Sequence, residues 1–370
     1  MTIRNQIYDR VLSFIHNPDP ARFEPLALEV FRHQFATVDA YRRYCLSLSV
    51  TPESIRSLDE IPAVSALAFK YADLASANDE RLPGGLTFLT SGTTAGRDRR
   101  GRHRVPRPEI YRASAIAHLG AMMFPDRRRM TMLAIHPTAD LMPESSLSQM
   151  ISWGIEEFGN GTSRCAAGRG GVDTRAAIAF LRDAESHGEP VCIFGTTAAF
   201  AAIFRALDEL GVSIQLAPAS RLMDTGGAKG QVVALEASQI ASLAAARLSI
   251  AADYVINEYG MTELCSQLYD ATPFNMPRIA ASSPRVKMAP PWLRASAIDP
   301  ATCRRLGARR PGLLRFFDLA NVGSVSAVMT EDIGIVENDR IRVLGRASAA
   351  EARGCALALV EFASAADGGR

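Results

Sequence analysis

The sequence predicts a layered α/β protein with a strand-rich C-terminal part. Three observations carry that prediction. Short apolar runs alternate with amphipathic or alanine-rich stretches through the middle of the chain, the pattern of strands and helices in layers. From about residue 310 onward strand signals dominate. Hydrophobic residues make up 48% and charged residues 22% of 370, which is the balance of a soluble globular protein with one large or two moderate domains.

Taken in order, residues 23–48 read as a helix, because Leu28, Phe31, Phe35, Val38 and Tyr41 recur at spacings of three and four. Residues 108–123 read as a second helix, with Pro108 in its first turn and Glu109 beside it. Alanine-rich helices are expected over 174–187, 196–210 and 233–248. Strands are expected over 86–90, 130–136, 190–194, 219–223, 252–257, 312–318 and 340–344. No internal repeat breaks this order.

Composition excludes several classes. A net charge of +2 offers no electrostatic basis for binding nucleic acid. Of 41 basic residues only Lys70, Lys229 and Lys287 are lysines, so runs such as Arg127 to Arg129 read as solvated faces. Met1 to Pro20 lacks the apolar stretch of a secretory signal. No run approaches the ~18 apolar residues of a membrane span. Six cysteines without a CxxC pair argue against a disulfide framework or structural zinc, and point to free thiols in the cytoplasm. The chain has no GxGxxG, GxSxG or GxxxxGK[ST] motif.

The chemistry-bearing segments are loops after apolar runs. Leu86 to Leu89 leads into Thr90-Ser91-Gly92-Thr93-Thr94-Ala95-Gly96, where hydroxyls, backbone N–H groups and glycines suit phosphate oxygens. Arg97, Arg99, Arg100, Arg102, His103 and Arg104 follow; this stretch fits either a pyrophosphate counter-charge or a solvated basic tail. Asp224-Thr225-Gly226-Gly227-Ala228-Lys229-Gly230 follows another strand and reads as a tight turn or as an edge for a base. Asn257-Glu258-Tyr259-Gly260-Met261-Thr262-Glu263 sets an aromatic ring and a carboxylate in one turn; a ring can stack on a base and a carboxylate can hold Mg²⁺ beside phosphates. Thr330-Glu331-Asp332-Ile333-Gly334 and Gly345-Arg346 come later; taken alone, an Asp-x-Gly reads as a turn.

In this order these segments resemble the signature motifs of adenylate-forming enzymes, which activate carboxylic acids with ATP. The resemblance implies that Thr90, Ser91, Gly92, Thr93 and Thr94 cradle phosphates and that Gly226 and Gly227 edge the adenine. It implies that Tyr259 and Gly260 pack against the base, that Thr262 touches the α-phosphate, and that Glu263 binds Mg²⁺. Asp332 would hold the ribose hydroxyls, and Arg346 would mark the hinge after the large domain. Ala95 stands where the family usually has glycine, and arginines stand where it has a lysine. His136, at the end of a strand, is a candidate for the mouth of the acyl pocket or a structural histidine; His103 is a further candidate near the phosphate loop.

The chain is similar over nearly its whole length to the acyl-protein synthetase (LuxE-type) branch. Phe69-Lys70, Ser145-Ser146-Leu147, Gly195-Thr196, Thr225-Gly226-Gly227, Ser266-Gln267, Pro290 to Arg294 and Arg353-Gly354-Cys355 carry that match. The similarity implies a large domain over 1–345 and a short segment over 346–370 in place of the usual full C-terminal domain and its lysine. It further implies that Cys355 accepts the acyl group. The expected function is ATP- and Mg²⁺-dependent activation of a carboxylic acid, expected to be a fatty acid, to an acyl-adenylate, then transfer to a thiol. The acceptor is Cys355, coenzyme A, or a partner protein such as a reductase or carrier. The rival expectations are a standalone acyl or aryl ligase that can also use an amine acceptor, and an adenylate-binding scaffold.

Overall fold

Strands buried on both faces need helices to cover them, and the middle of the chain supplies both in alternation. A computed structural model describes residues 3–76, 84–90, 100–226, 237–279, 285–347 and 362. The chain divides into two compact units. The first contains 1–117, 261–267 and 286–370; the second contains 118–260 and 268–285. The helix Pro108–Met123 contributes its first ten residues to the first unit and the remainder to the second.

In the second unit the strands lie in the order Leu268–Asp270, Val255–Tyr259, Arg221–Thr225, Val191–Thr196, Thr131–Ala134 and Arg164–Cys165. All neighbours are parallel except the antiparallel pair of Leu268–Asp270 with Val255–Tyr259. Thr131–Ala134 and Arg221–Thr225 are buried throughout, as expected of central parallel strands. The helices Thr174–His187, Thr197–Glu209 and Ala237–Leu248 supply the crossovers. Their apolar stripes (Leu181, Phe200, Phe204, Ile240 and Ala244 among them) pack in one core with Leu133, Ile193, Leu222 and Val255. Each large aliphatic or aromatic side chain buried there contributes about 1.5–3 kcal/mol of transfer free energy.

In the first unit an antiparallel sheet runs in the order Leu293–Ile298, Gly312–Asp318, Ala327–Glu337, Arg340–Arg346 and Lys287–Met288, and Val64–Ser65 lies parallel to Ala327–Glu337. The helices Ile3–His16 and Pro20–Thr37 bury Phe14 and Phe23, and the Phe23 ring meets Phe317 edge-on at 6.3 Å. Gln34, fully buried on the second of these helices, donates to the Asn321 carbonyl (3.0 Å) and the Ser326 hydroxyl (2.9 Å), and accepts from the Ser326 N–H. That polar contact fixes the short 3₁₀ turn Leu319–Asn321.

The helix expected over 23–48 is two helices, Pro20–Thr37 and Asp39–Ser47, broken where Val38 turns extended (φ −103°, ψ 96°). The apolar stripe stays in phase across the break, because Val38 and Tyr41 are both buried. The helices Ile3–His16 and Ser146–Phe158 and the strands Arg102–Val105 and Ala327–Glu337 add elements that periodicity did not suggest. No helix among the described residues is long and apolar enough to cross a membrane.

Candidate active site

Parallel strands end together, and their carboxyl ends are where α/β sheets take ligands. In the second unit Thr196, Thr225 and Glu258 stand in register across three neighbouring parallel strands. Gly226 and Tyr259 come one residue later, so two of the expected adenine-site residues lie on adjacent strand ends. Gly226 takes φ +92°, a left-handed conformation that costs glycine little. Buried polar groups brace these ends. The Thr197 hydroxyl donates to Asp224 Oδ2 (3.0 Å) or to the Gly226 carbonyl (3.0 Å). Asn257 Nδ2 donates to Asp224 Oδ2 (2.9 Å), and the Thr225 hydroxyl to the Glu258 carboxylate. Asp224 and Glu258 fall inside segments singled out in the sequence but carry no role of their own there, and Thr197, one residue after Gly195-Thr196, is not singled out. Gly227 lies outside the described residues.

His136 follows the strand Thr131–Ala134 in the same unit. Its Nε2 is 3.3 Å from the Ser148 hydroxyl, and burial depresses its pKa to about 4, so the ring is neutral near pH 7.

Thr262 and Glu263 belong to the first unit, in the non-helical segment 261–267. With no strand ladder to hold it, that segment depends on side chains. His103 Nδ1 donates to the Thr262 carbonyl at 2.6 Å, and Asn321 Nδ2 donates to the Glu263 carbonyl at 2.8 Å. The Asp318 carboxylate accepts from the Cys265 N–H (2.9 Å), the Ser266 hydroxyl (2.7 Å) and the Ala320 N–H (3.0 Å). Trp292 Nε1 donates to the Ser114 hydroxyl (2.8 Å), which lies 3.0 Å from the Ser266 hydroxyl. Two stretches singled out in the sequence, Ser266-Gln267 and Pro290 to Arg294, therefore meet in one buried polar chain ending on Asp318.

Burial sets the electrostatics here. It raises the Asp318 pKa to about 6 against three donors that favour the carboxylate. It lowers the His103 pKa to about 4 against the bond to Thr262, which leaves the ring neutral at pH 7. Glu263 is itself buried. Its oxygen chemistry fits Mg²⁺, which commonly takes one or two protein carboxylates and completes its shell with phosphates and water. No group of three His, Cys, Asp or Glu side chains able to hold a metal occurs among the described residues, so a site here would be of that shared kind.

Thr90 closes a hairpin stem. The strand Leu86–Leu89 pairs with Arg102–Val105; the Thr90 N–H donates to the Gly101 carbonyl (2.9 Å), and its hydroxyl accepts from the Gly101 N–H (2.8 Å). Ser91, Gly92, Thr93 and Thr94 lie outside the described residues. Of the basic residues after the loop, Arg100 donates to the Thr90 carbonyl (2.7 Å) and Arg104 pairs with Asp73 (2.7 Å), so both serve the stem.

Asp332 and Arg346 are direct cross-strand partners, one on Ala327–Glu337 and one on Arg340–Arg346. Thr330 to Gly334 is thus strand where an Asp-x-Gly suggested a turn. A Cβ on Gly334 would come within 2.7 Å of Leu314 Cδ2 and 2.9 Å of the Arg342 carbonyl oxygen, so only glycine lets the strands approach. Gly345 and Arg346 extend the strand expected to stop at 344, with a register shift between Ile333 and Gly334. The Arg346 guanidinium reaches Glu331 at 3.0 Å and Asp332 at 4.0 Å. Arg353 and Cys355, like most of 346–370, lie outside the described residues; Phe362 is buried, its ring 5.5 Å from Tyr44.

A family model described as "Acyl-protein synthetase, LuxE" matches residues 10–363. A long-chain-fatty-acid–luciferin-component ligase of Vibrio harveyi is 22% identical over 349 residues, 92% of this chain and 88% of that protein. A protein of the same description from Aliivibrio fischeri is 20% identical over 366 residues, 94% of this chain and 92% of that one. Among solved structures, 2-hydroxyisobutyryl-CoA ligase in the postadenylation state, in complex with 2-HIB-AMP, superposes with a TM-score of 0.63 at 14% identity, covering 89% of this chain and 71% of that one. At that identity the likeness is one of fold.

Proposed function

The chain belongs to the acyl-protein synthetase (LuxE) family, and from that premise we propose that it activates a long-chain fatty acid with ATP and passes the acyl group to a thiol. A carboxylate is unreactive because its leaving group would be oxide. When a carboxylate oxygen bonds to the α-phosphorus and the bond to the pyrophosphate oxygen breaks, the product is an acyl-adenylate with AMP as leaving group. A thiolate then bonds to the acyl carbon and expels AMP, leaving a thioester.

The observation that carries this reading is the bracing of Thr262 and Glu263, whose carbonyls are each held by a different buried side chain. In the proposal Thr262 binds the α-phosphate and Glu263 holds Mg²⁺. The metal would neutralise charge on the phosphates. Gly226, Gly227, Tyr259 and Gly260 form the adenine wall, and Thr90, Ser91, Gly92, Thr93 and Thr94 the phosphate loop. Asp332 takes the ribose hydroxyls, with Arg346 opposite it on the neighbouring strand. The segment 346–370 presents Cys355 as acceptor, with Arg353 two residues earlier to favour its thiolate.

A panel of carboxylates in ATP–pyrophosphate exchange tests the substrate class; fatty acids of increasing length should support increasing rates. Incubation with ATP and the best acid should then leave a hydroxylamine-sensitive mass adduct on the peptide containing Cys355. Cys355→Ser should lose the adduct and keep exchange. Full-rate transfer to coenzyme A by Cys355→Ser would instead make coenzyme A the acceptor and remove this cysteine from the reaction.

A further inference from the structure

Among the described residues, His103 and Asn321 each leave one buried polar atom without a partner: His103 Nε2 and Asn321 Oδ1. Both side chains are 1% exposed, and both line one small cavity in the first unit, of about 10 Å³. The chemistry of the two atoms follows from their other bonds. A carbonyl can only accept, so His103 carries its proton on Nδ1 toward Thr262, and Nε2 of the neutral ring is a bare lone pair. Asn321 Nδ2 faces two carbonyls, those of Glu263 (2.8 Å) and Val325 (3.2 Å), which fixes the amide with Oδ1 as acceptor. Each side chain therefore spends its donor on a backbone carbonyl, His103 on that of Thr262 and Asn321 on those of Glu263 and Val325.

We propose that His103 and Asn321 are positioning residues that set the backbone of Thr262 and Glu263: both are buried, and each holds one of the two carbonyls by a hydrogen bond that no strand ladder replaces. The inference rests on the assignment of Glu263 to Mg²⁺ and Thr262 to phosphate. It adds the requirement that their placement depends on two side chains distant in sequence.

The test compares variants in acid-dependent pyrophosphate exchange across a Mg²⁺ titration, with thermal melts as a folding control. Glu263→Gln is the reference: if it keeps exchange, the site assignment itself fails, whatever His103 does. Given that loss, His103→Leu should lower the exchange kcat about ten-fold or more, the rate equivalent of ~1.4 kcal/mol. It should also raise the Mg²⁺ needed for half-maximal rate. His103→Asn places an amide nitrogen near the position of Nδ1 and should recover most of the loss. His103→Gln places its nitrogen near Nε2 and should not. Equal activity of the Asn and Gln variants overturns the positioning role, and this pair decides the matter even if the leucine variant does not fold. Wild-type turnover and Mg²⁺ dependence in a folded His103→Leu overturns it too.

Discussion

Tyr259 and Thr262 are three residues apart in one motif, yet they are held by different means. Tyr259 ends a strand whose backbone pairs on both sides with neighbours in the second unit. Thr262 to Ser266 pair with no strand, and their place is set by His103, Asn321 and Asp318. A ladder spreads its support over many backbone bonds and tolerates most single side-chain changes. A clamp of side chains concentrates support in a few atoms. The Tyr259 half of the motif is thus as robust as the sheet, whereas the half with Thr262 and Glu263 depends on three residues that sequence proximity does not bring together.

Substitutions in each half can break or sharpen that contrast. Arg221 begins an inner strand of the parallel sheet, fully buried. Its guanidinium binds Asp126 at 2.7 and 2.9 Å and the Met123 carbonyl at 2.7 Å, and these bonds hold the Asp126 carboxyl down at a pKa of about 2. Arg221→Met should destabilise the protein by about 1.5–3 kcal/mol, the scale of lost hydrogen bonds to a charged group, because it leaves the part-buried Asp126 and the Met123 carbonyl without their donor. The fraction that stays folded should keep a near-normal KM for ATP. A large rise in KM without lost stability, read from denaturant melts and exchange kinetics, would mean that the sheet half is as fragile as the clamp.

Asp318→Asn probes the other half. It keeps shape but sets an amide N–H against the Cys265 N–H or the Ser266 hydroxyl, so about 1–3 kcal/mol of stability should be lost. The exchange kcat should fall more than stability suggests, because the displaced segment carries Thr262 and Glu263. Unchanged turnover in this variant would free the clamp from any part in catalysis.

The smallest effect is a slope. Asp318 has a folded pKa of about 6, raised above 3.8, so its contribution to stability is complete below about pH 3.8 and is lost as pH rises through about 6. His103 runs the other way: lowered from 6.5 to about 4, its contribution is complete above pH 6.5 and is lost as pH falls through about 4. Between pH 4 and 6 the two oppose. Asp318→Asn should therefore make stability rise more steeply with pH in that window, and His103→Asn should flatten the rise. Parallel curves for the two variants and the wild type, from melts across the window, would show that neither group titrates as described.

The same contrast explains what was legible in the sequence. Local pattern identified the strand Gly312–Asp318 and the helix Pro108–Met123 at both ends, because apolar runs and a first-turn proline are local signals. It joined two helices across Val38, since no Gly or Pro marks the break and the apolar stripe continues in phase. It took Thr330 to Gly334 for a turn, since the reason for Gly334 is Leu314 on the adjacent strand. Motif residues stood out by type and order. The clamp did not: Asn321 and Glu263 are separated by 58 positions and His103 and Thr262 by 159, and nothing in a single sequence joins them. Asp318 offered one faint sign, a charge closing a strand that is apolar apart from Arg315, before a short turn.

The central claim is that acid activation runs through Glu263, whose backbone carbonyl Asn321 holds. Fatty-acid-dependent exchange of labelled pyrophosphate into ATP, in the wild type and in Glu263→Gln at matched folded concentration, tests it most directly. The account predicts robust exchange in the wild type and loss of at least about a hundred-fold in the variant, the scale on which a group acting on transferring charge is felt. Exchange at the wild-type rate in Glu263→Gln, with unchanged Mg²⁺ dependence, would contradict it.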